Sequence, residues 1–205
     1  MTVARAERPR TVARGKPTWE IAQFFPKQGD WTEVDFFALD DNRRVELSDG
    51  FLEVLPMPTD PHQAILAFLF TALQAFVDRR KLGKVLFSGL PVRLWEGTLR
   101  EPDILFLKRE RFSLRHEQYW DSADLVMEIV SRHNRQHDIK TKRLEYAQAG
   151  IPEYWIVDPQ KFTITVLVLD NARYVAHGVF KRGERASSVL LKSFSVDVAA
   201  VLDAE

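Results

Sequence analysis

The stretch LVMEIVSRHNRQHDIKTKRLEYAQAGIPEYWIVDP, residues 125–159, decides the fold. It opens with Leu125-Val126-Met127-Glu128-Ile129-Val130, an apolar run of strand length bounded by Asp121 and Ser131. Successive side chains of a strand point to opposite faces. One face carries Leu125, Met127 and Ile129, the other Val126, Glu128 and Val130. Apart from Glu128 both faces are apolar, as in a central strand covered on two sides. Arg135 to Ala149 has helical spacing and ends at Gly150-Ile151-Pro152, residues that stop helices. Tyr154-Trp155-Ile156-Val157 is again a strand, closed by Asp158-Pro159. A strand–helix–strand unit in a chain otherwise made mostly of strands predicts an α/β or α+β domain with a mixed sheet flanked by helices.

The flanks agree with this. Strands are predicted at Val85–Ser88, Val92–Trp95 and Asp103–Leu107, followed by a short helical or irregular stretch from Arg109 to Tyr119. Upstream, Asp60-Pro61-His62-Gln63 reads as a helix start, with Asp60 as N-cap, Pro61 in the first position and Gln63 as capping-box partner. Ile65, Leu69, Ala72, Leu73, Phe76 and Val77 continue it to about Lys81, with Gly83 as its stop. Two short apolar runs around Ser48-Asp49-Gly50 predict an N-terminal hairpin over residues 44–55. Thr32 to Leu39 suits a short helix. Downstream, Thr163–Leu169 and Arg173–Val179 form a hairpin around Asp170-Asn171, and Val189–Leu202 a strand with a helical turn.

Composition narrows the function classes. The chain has 205 residues, 45% of them apolar, with 14 Phe and 5 Trp. That is enough for one domain with a large core, placed at residues 17–205. No Cys is present, which removes thiol nucleophiles, thiolate zinc sites and disulfides and is compatible with a cytoplasmic location. Lys+Arg and Asp+Glu both number 29, so a non-specific coat on nucleic acid is not expected, since that binding is driven by phosphate neutralisation. No apolar run is long enough to span a membrane. Residues 1–16 hold five basic residues and one acid, Glu7, without apolar periodicity, and are expected to be a disordered basic tail.

Three polar residues stand where the pattern asks for apolar ones. Glu128 occupies a strand face between two valines; a buried carboxylate there requires a cation, a metal or hydrogen-bond donors, and an edge strand facing water is the alternative. Asp103 follows Pro102 at a strand entrance, a place that also suits a plain turn acid. Lys142 shares the most apolar stripe of its helix with Ile139, Tyr146 and Ala149. Its ammonium must snorkel or meet a buried anion, unless it pairs with Asp138 on the surface. Two carboxylates on strands can hold a hard divalent cation through oxygen. A lysine beside them can stabilise charge on a phosphate or orient a water. This is an inventory for metal-dependent phosphodiester hydrolysis.

At these residues the chain resembles a known family. Pro102-Asp103 followed by Glu128-Ile129-Val130 looks like the PD-(D/E)xK nuclease superfamily. Arg44-Val45-Glu46-Leu47-Ser48-Asp49-Gly50, Pro58-Thr59-Asp60-Pro61-His62, Glu101-Pro102-Asp103-Ile104, Asp138-Ile139-Lys140-Thr141-Lys142 and the block from Tyr146 to Pro159 are similar to the Uma2 family (DUF820) of restriction-endonuclease-like proteins. The resemblance spans residues 31 to 200. It implies a restriction-endonuclease-like core with the N-terminal hairpin as decoration, Mg²⁺ (or Mn²⁺) dependence, and a nucleic-acid substrate, with DNA the expected one. It also implies metal binding by Asp103 and Glu128, and a catalytic Lys142. Position 130 is Val where the superfamily keeps a lysine, and Lys142 on the following helix fits as the migrated amine. Lys140 points about 160° away from that stripe at 100° per residue. Glu46 fits the acid such nucleases carry on an N-terminal element, as a ligand or acting on water. A homodimer is expected by the same analogy, because both strands must be cut. The rival from another class is an inactive nuclease fold serving as a binding or assembly module.

The remaining candidates concern substrate. His62 could contact a phosphate or tune Glu46, or simply cap its helix. Arg132 and Arg135 follow the Glu128 strand, where a phosphate would enter, and could equally be a solvated face. Arg79-Arg80-Lys81 is a second basic cluster. Tyr154 and Trp155 could stack bases but sit on a core strand. His133 and His137 have zinc-pair spacing without a third ligand at motif distance.

Overall fold

The structure, a computed structural model, describes residues 25–39, 44–131, 135 and 137–205. The basic tail, Arg132 and His133 lie outside the described residues.

Helix α1 (Glu33–Phe37) is held by a capping box in which Thr32 and Asp35 each accept from the other's backbone N–H. The hairpin follows as β1 (Val45–Ser48) and β2 (Phe51–Val54). Asp49 and Gly50 both have positive φ, 47° and 84°, the conformation a two-residue hairpin turn needs. β4 (Val92–Trp95) and β5 (Thr98–Arg100) complete a four-stranded antiparallel sheet in the order β2-β1-β5-β4.

Helix α2 (Asp60–Arg80) begins one residue earlier than the sequence implies. Thr59 is the N-cap and makes no side-chain cap bond; Asp60 already lies in the first turn, where a carboxylate favours the helix dipole. The stop is Lys81 at φ 54°, not Gly83. Gly83 opens β3 (Gly83–Phe87), where a Cβ would stand 2.1 Å from the Leu107 carbonyl oxygen. The glycine serves a close approach of strands rather than a helix end.

The main sheet runs β10-β9-β8-β7-β6-β3. Its strands are β6 (Ile104–Lys108), β7 (Leu125–Ile129), β8 (Glu153–Asp158), β9 (Thr163–Asp170) and β10 (Arg173–Lys181), with β3 at the edge. β7 and β8 are parallel and the remaining neighbours antiparallel: a mixed sheet, as read from the strand–helix–strand unit. The crossover differs from the uniform helix expected over 135–149. A π-helical segment (His137–Thr141) precedes α3 (Lys142–Gln148). Such a turn inserts a residue into the helical register, yet Ile139, Tyr146 and Ala149 still reach one core. β11 (Arg185–Ser187), β12 (Ser195–Asp197) and α4 (Val198–Leu202) close the chain.

The alternation read along β7 sets the layers. Leu125, Met127 and Ile129 pack with Leu69, Leu73 and Val77 of α2. Val126 and Val130 pack with Tyr146 of α3, Tyr154 and Trp120. Every residue of β7 is buried, which excludes the edge-strand reading of Glu128. Among the described residues no helix is long and apolar enough to cross a membrane.

Gly83→Ala should lower stability by about 1–3 kcal/mol, the range for forced overpacking, read as a shift in the urea midpoint at constant slope. An unchanged midpoint would show that β3 can move off β6 without cost.

Candidate active site

β6 and β7 pair with Ile104 opposite Met127. One step further along the same register, Asp103 falls opposite Glu128. Like charges directly across a strand pair repel, so the arrangement persists only with compensation, and each carboxylate has it. Asp103 Oδ2 accepts from the Ile129 N–H at 2.8 Å and lies 3.3 Å from His62 Nε2. Arg44 Nη2 stands 3.9 Å from Asp103 Oδ1. Glu128 Oε1 accepts from Lys142 Nζ at 2.9 Å and from the Tyr146 hydroxyl at 2.7 Å.

Lys142 and Tyr146 are i,i+4 neighbours on α3, so one helix face presents both donors to the β7 carboxylate. Lys142 is 3% exposed. Its ammonium also meets Glu46 Oε1 at 3.0 Å. The amine is therefore shared by two buried glutamates; the side chain of Asp138, the surface partner weighed from the sequence, lies outside the described residues. Lys140 is exposed. Burial pushes the Tyr146 hydroxyl well above its ordinary pKa, and the nearby charges of Glu128 and Glu46 add to this; it stays a donor.

Glu46 takes a different place from the one expected. It is fully buried and is not part of the cavity wall. Besides Lys142 it accepts the Glu101 N–H at 2.9 Å and a bond from Arg100 at 3.3 Å. Its oxygens anchor Lys142 on the side away from Glu128. The residue behind this arrangement is Arg100, 1% exposed, which the sequence reading does not single out. Arg100 grips Glu145 of α3 through two bonds of 2.7 and 2.6 Å, and reaches Glu53 at 3.0 Å and Ser48 at 3.1 Å. Glu46 and Glu53 are directly opposed in the hairpin. Two like charges facing each other across a turn are the one local sign that a cation must approach from elsewhere.

Arg44 and Glu101 form a second pair, Nε to Oε1 at 3.0 Å. Burial raises the Glu101 carboxyl above its ordinary pKa, with the Arg44 guanidinium pulling the other way. For Arg44, burial works against its charge but Glu101, Asp103 and Glu128 outweigh it. Among the described residues six carboxylates (Glu46, Glu53, Glu101, Asp103, Glu128, Glu145) contact the basic side chains Arg44, Arg100 and Lys142.

A cavity of about 910 Å³ opens onto this chemistry, lined among others by Arg44, His62, Glu101, Asp103, Glu128 and Lys142. His62 stands on Asp103, not on Glu46. Arg135 is held by Asp158, with Nη1 3.0 Å from Oδ1, so its charge is already matched. That pair ties the crossover to the end of β8. Among the described residues no group of three or more His, Asp or Glu is arranged to hold a metal ion.

With the site in place, comparison with known proteins gives the family. The family model described as "Uma2: Putative restriction endonuclease" matches residues 33–199, and the chain belongs to this family. A solved structure described as a putative nuclease belonging to DUF820 from Anabaena variabilis ATCC 29413 is similar with a TM-score of 0.70 and 18% identity, over 84% of this chain and 97% of that one. It shares the fold. No curated protein matches the chain.

Arg100→Met should cost about 3–5 kcal/mol, the range for leaving one side of a buried ion pair uncompensated. Arg100→Lys should recover only part, because an ammonium cannot reproduce the two-pronged grip on Glu145. A loss under 1 kcal/mol in Arg100→Met, by denaturant unfolding, would mean the surrounding acids do not depend on it.

Proposed function

We propose that this protein is a divalent-metal-dependent nuclease that hydrolyses phosphodiester bonds of nucleic acid, with DNA as substrate and Mg²⁺ as its ion. The observation that carries this reading is the buried Lys142 amine 2.9 Å from the buried Glu128, on a cavity wall shared with Asp103. The family's description as restriction endonuclease points the same way.

The donor set fits such an ion. Mg²⁺ needs hard oxygen ligands and commonly takes only one or two carboxylates, filling its shell with water and substrate oxygens. Asp103 and Glu128 supply carboxylate oxygens across one strand register. When bound, Mg²⁺ or Mn²⁺ supplies charge neutralisation at the phosphate and acidification of water.

The chain's own groups divide the remaining work. Lys142 holds a proton-bearing amine at the cavity wall, fixed by Glu46 from behind and Glu128 in front. A preorganised cation of this kind stabilises charge that grows on a phosphate oxygen or orients the attacking water. Tyr146 fixes the Glu128 oxygen that faces α3. His62 and the Ile129 N–H fix Asp103. Arg44 contributes positive potential at the mouth, already shared with Glu101.

One observation favours the rival binding-module reading: Lys142 is bound on both sides by glutamate, so part of the negative charge that would attract a metal is already neutralised. Cleavage assays on DNA and RNA with Mg²⁺ or Mn²⁺ separate the two. Lys142→Ala should keep the fold and lower hydrolysis by about 10²–10³-fold, the range for one preorganised charge-stabilising donor, while Lys140→Ala stays near wild type. Equal losses at 140 and 142, or no metal-dependent cleavage of any nucleic acid by wild type, would reject the assignment.

A further inference from the structure

We infer that the mouth of the cavity is a stacking site for an unpaired nucleobase, with Phe162 as its platform, so that the substrate has single-stranded character at the cut. This rests on the nuclease reading above. Phe162 lines the same cavity as Asp103, Glu128 and Lys142. The residue is 54% exposed, and its backbone has φ 55°. A bulky side chain pays a steric penalty in that left-handed region, which glycine or asparagine occupies readily. The other non-glycine residues with positive φ among the described residues are Asp49, Lys81, Asn171 and Ser193, all polar.

The strain is imposed from outside the residue. Asp158 Oδ1 accepts from the N–H groups of Gln160 and Lys161 at 3.2 and 3.1 Å, and Arg135 clamps Asp158 in turn. The loop is thus preset to present residue 162. A half-exposed ring returns little burial for this cost, and strain of this sort persists where a site uses it. The Arg182 guanidinium lies over the ring, 5.4 Å from its centroid, and is itself held by Asp203. Met57, 87% exposed between two prolines, also lines the cavity and adds an adaptable apolar contact.

Charge selects the occupant. The chain is neutral overall, and the cations that line the cavity among the described residues, Arg44 and Lys142, are already matched by carboxylates. Counterion release from a duplex backbone therefore has little to draw on, and affinity needs a non-electrostatic source next to the phosphate. Base–aromatic stacking is such a source and tolerates any sequence, because every base has a π-face. A base inside a duplex is unavailable to it.

The test uses a single-stranded oligodeoxynucleotide carrying one 2-aminopurine, and the same strand annealed to its complement. Wild type should quench the fluorophore in the single strand and bind it more tightly than the duplex. Phe162→Ala should weaken single-strand binding by about 5–150-fold, and Phe162→Trp should restore it. Phe162→Gly should lose binding while raising Tm by about 2–4 °C through relief of strain. Wild-type affinity in Phe162→Ala, preference for the duplex, or no oligonucleotide binding by wild type would each overturn the stacking site. Metal-dependent cleavage of a duplex at wild-type rate by Phe162→Ala would overturn it too, but leave the nuclease reading standing. Phe162-dependent binding without metal-dependent cleavage would do the reverse.

Discussion

A single ammonium, Lys142 Nζ, shared between Glu128 at 2.9 Å and Glu46 at 3.0 Å, is the interaction on which the rest of the site depends. Each contact is worth roughly 5 kcal/mol at an effective dielectric near 20. Removing three charges from water costs several kcal/mol per ion. The two sums are of similar size, so the triad adds little net stability, and an apolar trio would fold at least as well. What the triad does achieve is position. It locks one face of α3 onto the central strand β7 and onto the hairpin strand β1, which lies far from both in sequence.

The same logic extends outward. Arg100 stands on β5 of the small sheet and grips Glu145, one helical turn beyond Lys142. It thereby couples the register of α3 to the N-terminal hairpin. Arg44 links Glu101 with Asp103 at the other end of the network. The hairpin is therefore a structural part of the site: it carries Glu46, Glu53 and Ser48, the partners that fix Arg100 and Lys142. The strand register sets Asp103 of this network opposite Glu128.

Much of this was legible in the sequence wherever a residue broke a periodic pattern. Glu128 stands out because its flanking valines demand burial, and Lys142 because it interrupts an apolar helical stripe; the structure joins the two. The Asp49-Gly50 hairpin and the strand–helix–strand unit are local signals and carry through. What stayed hidden depends on partners distant in sequence. Arg100 lies on a three-residue strand between Gly97 and Pro102, too short to read as structure, and its acids come from three other elements. Glu46 reads as a hairpin acid because Lys142 is 96 positions away. The Asp158 partner of Arg135 is equally hidden, because it arrives only through the parallel pairing of β7 with β8. The π-turn before α3 leaves no composition cue, and the shift of the α2 start from Asp60 to Thr59 is one residue.

The central claim is that Asp103 and Glu128 form a divalent-cation site for which Lys142 is the neighbouring amine and not a ligand. Thermal unfolding with and without Mn²⁺ tests it without requiring turnover. At about 100 times its Kd, the ion should stabilise the wild type by about 2.7 kcal/mol. The rise should vanish in Asp103→Asn and in Glu128→Gln and persist in Lys142→Ala. A rise of wild-type size in either carboxylate variant, or its loss only in Lys142→Ala, would contradict the account.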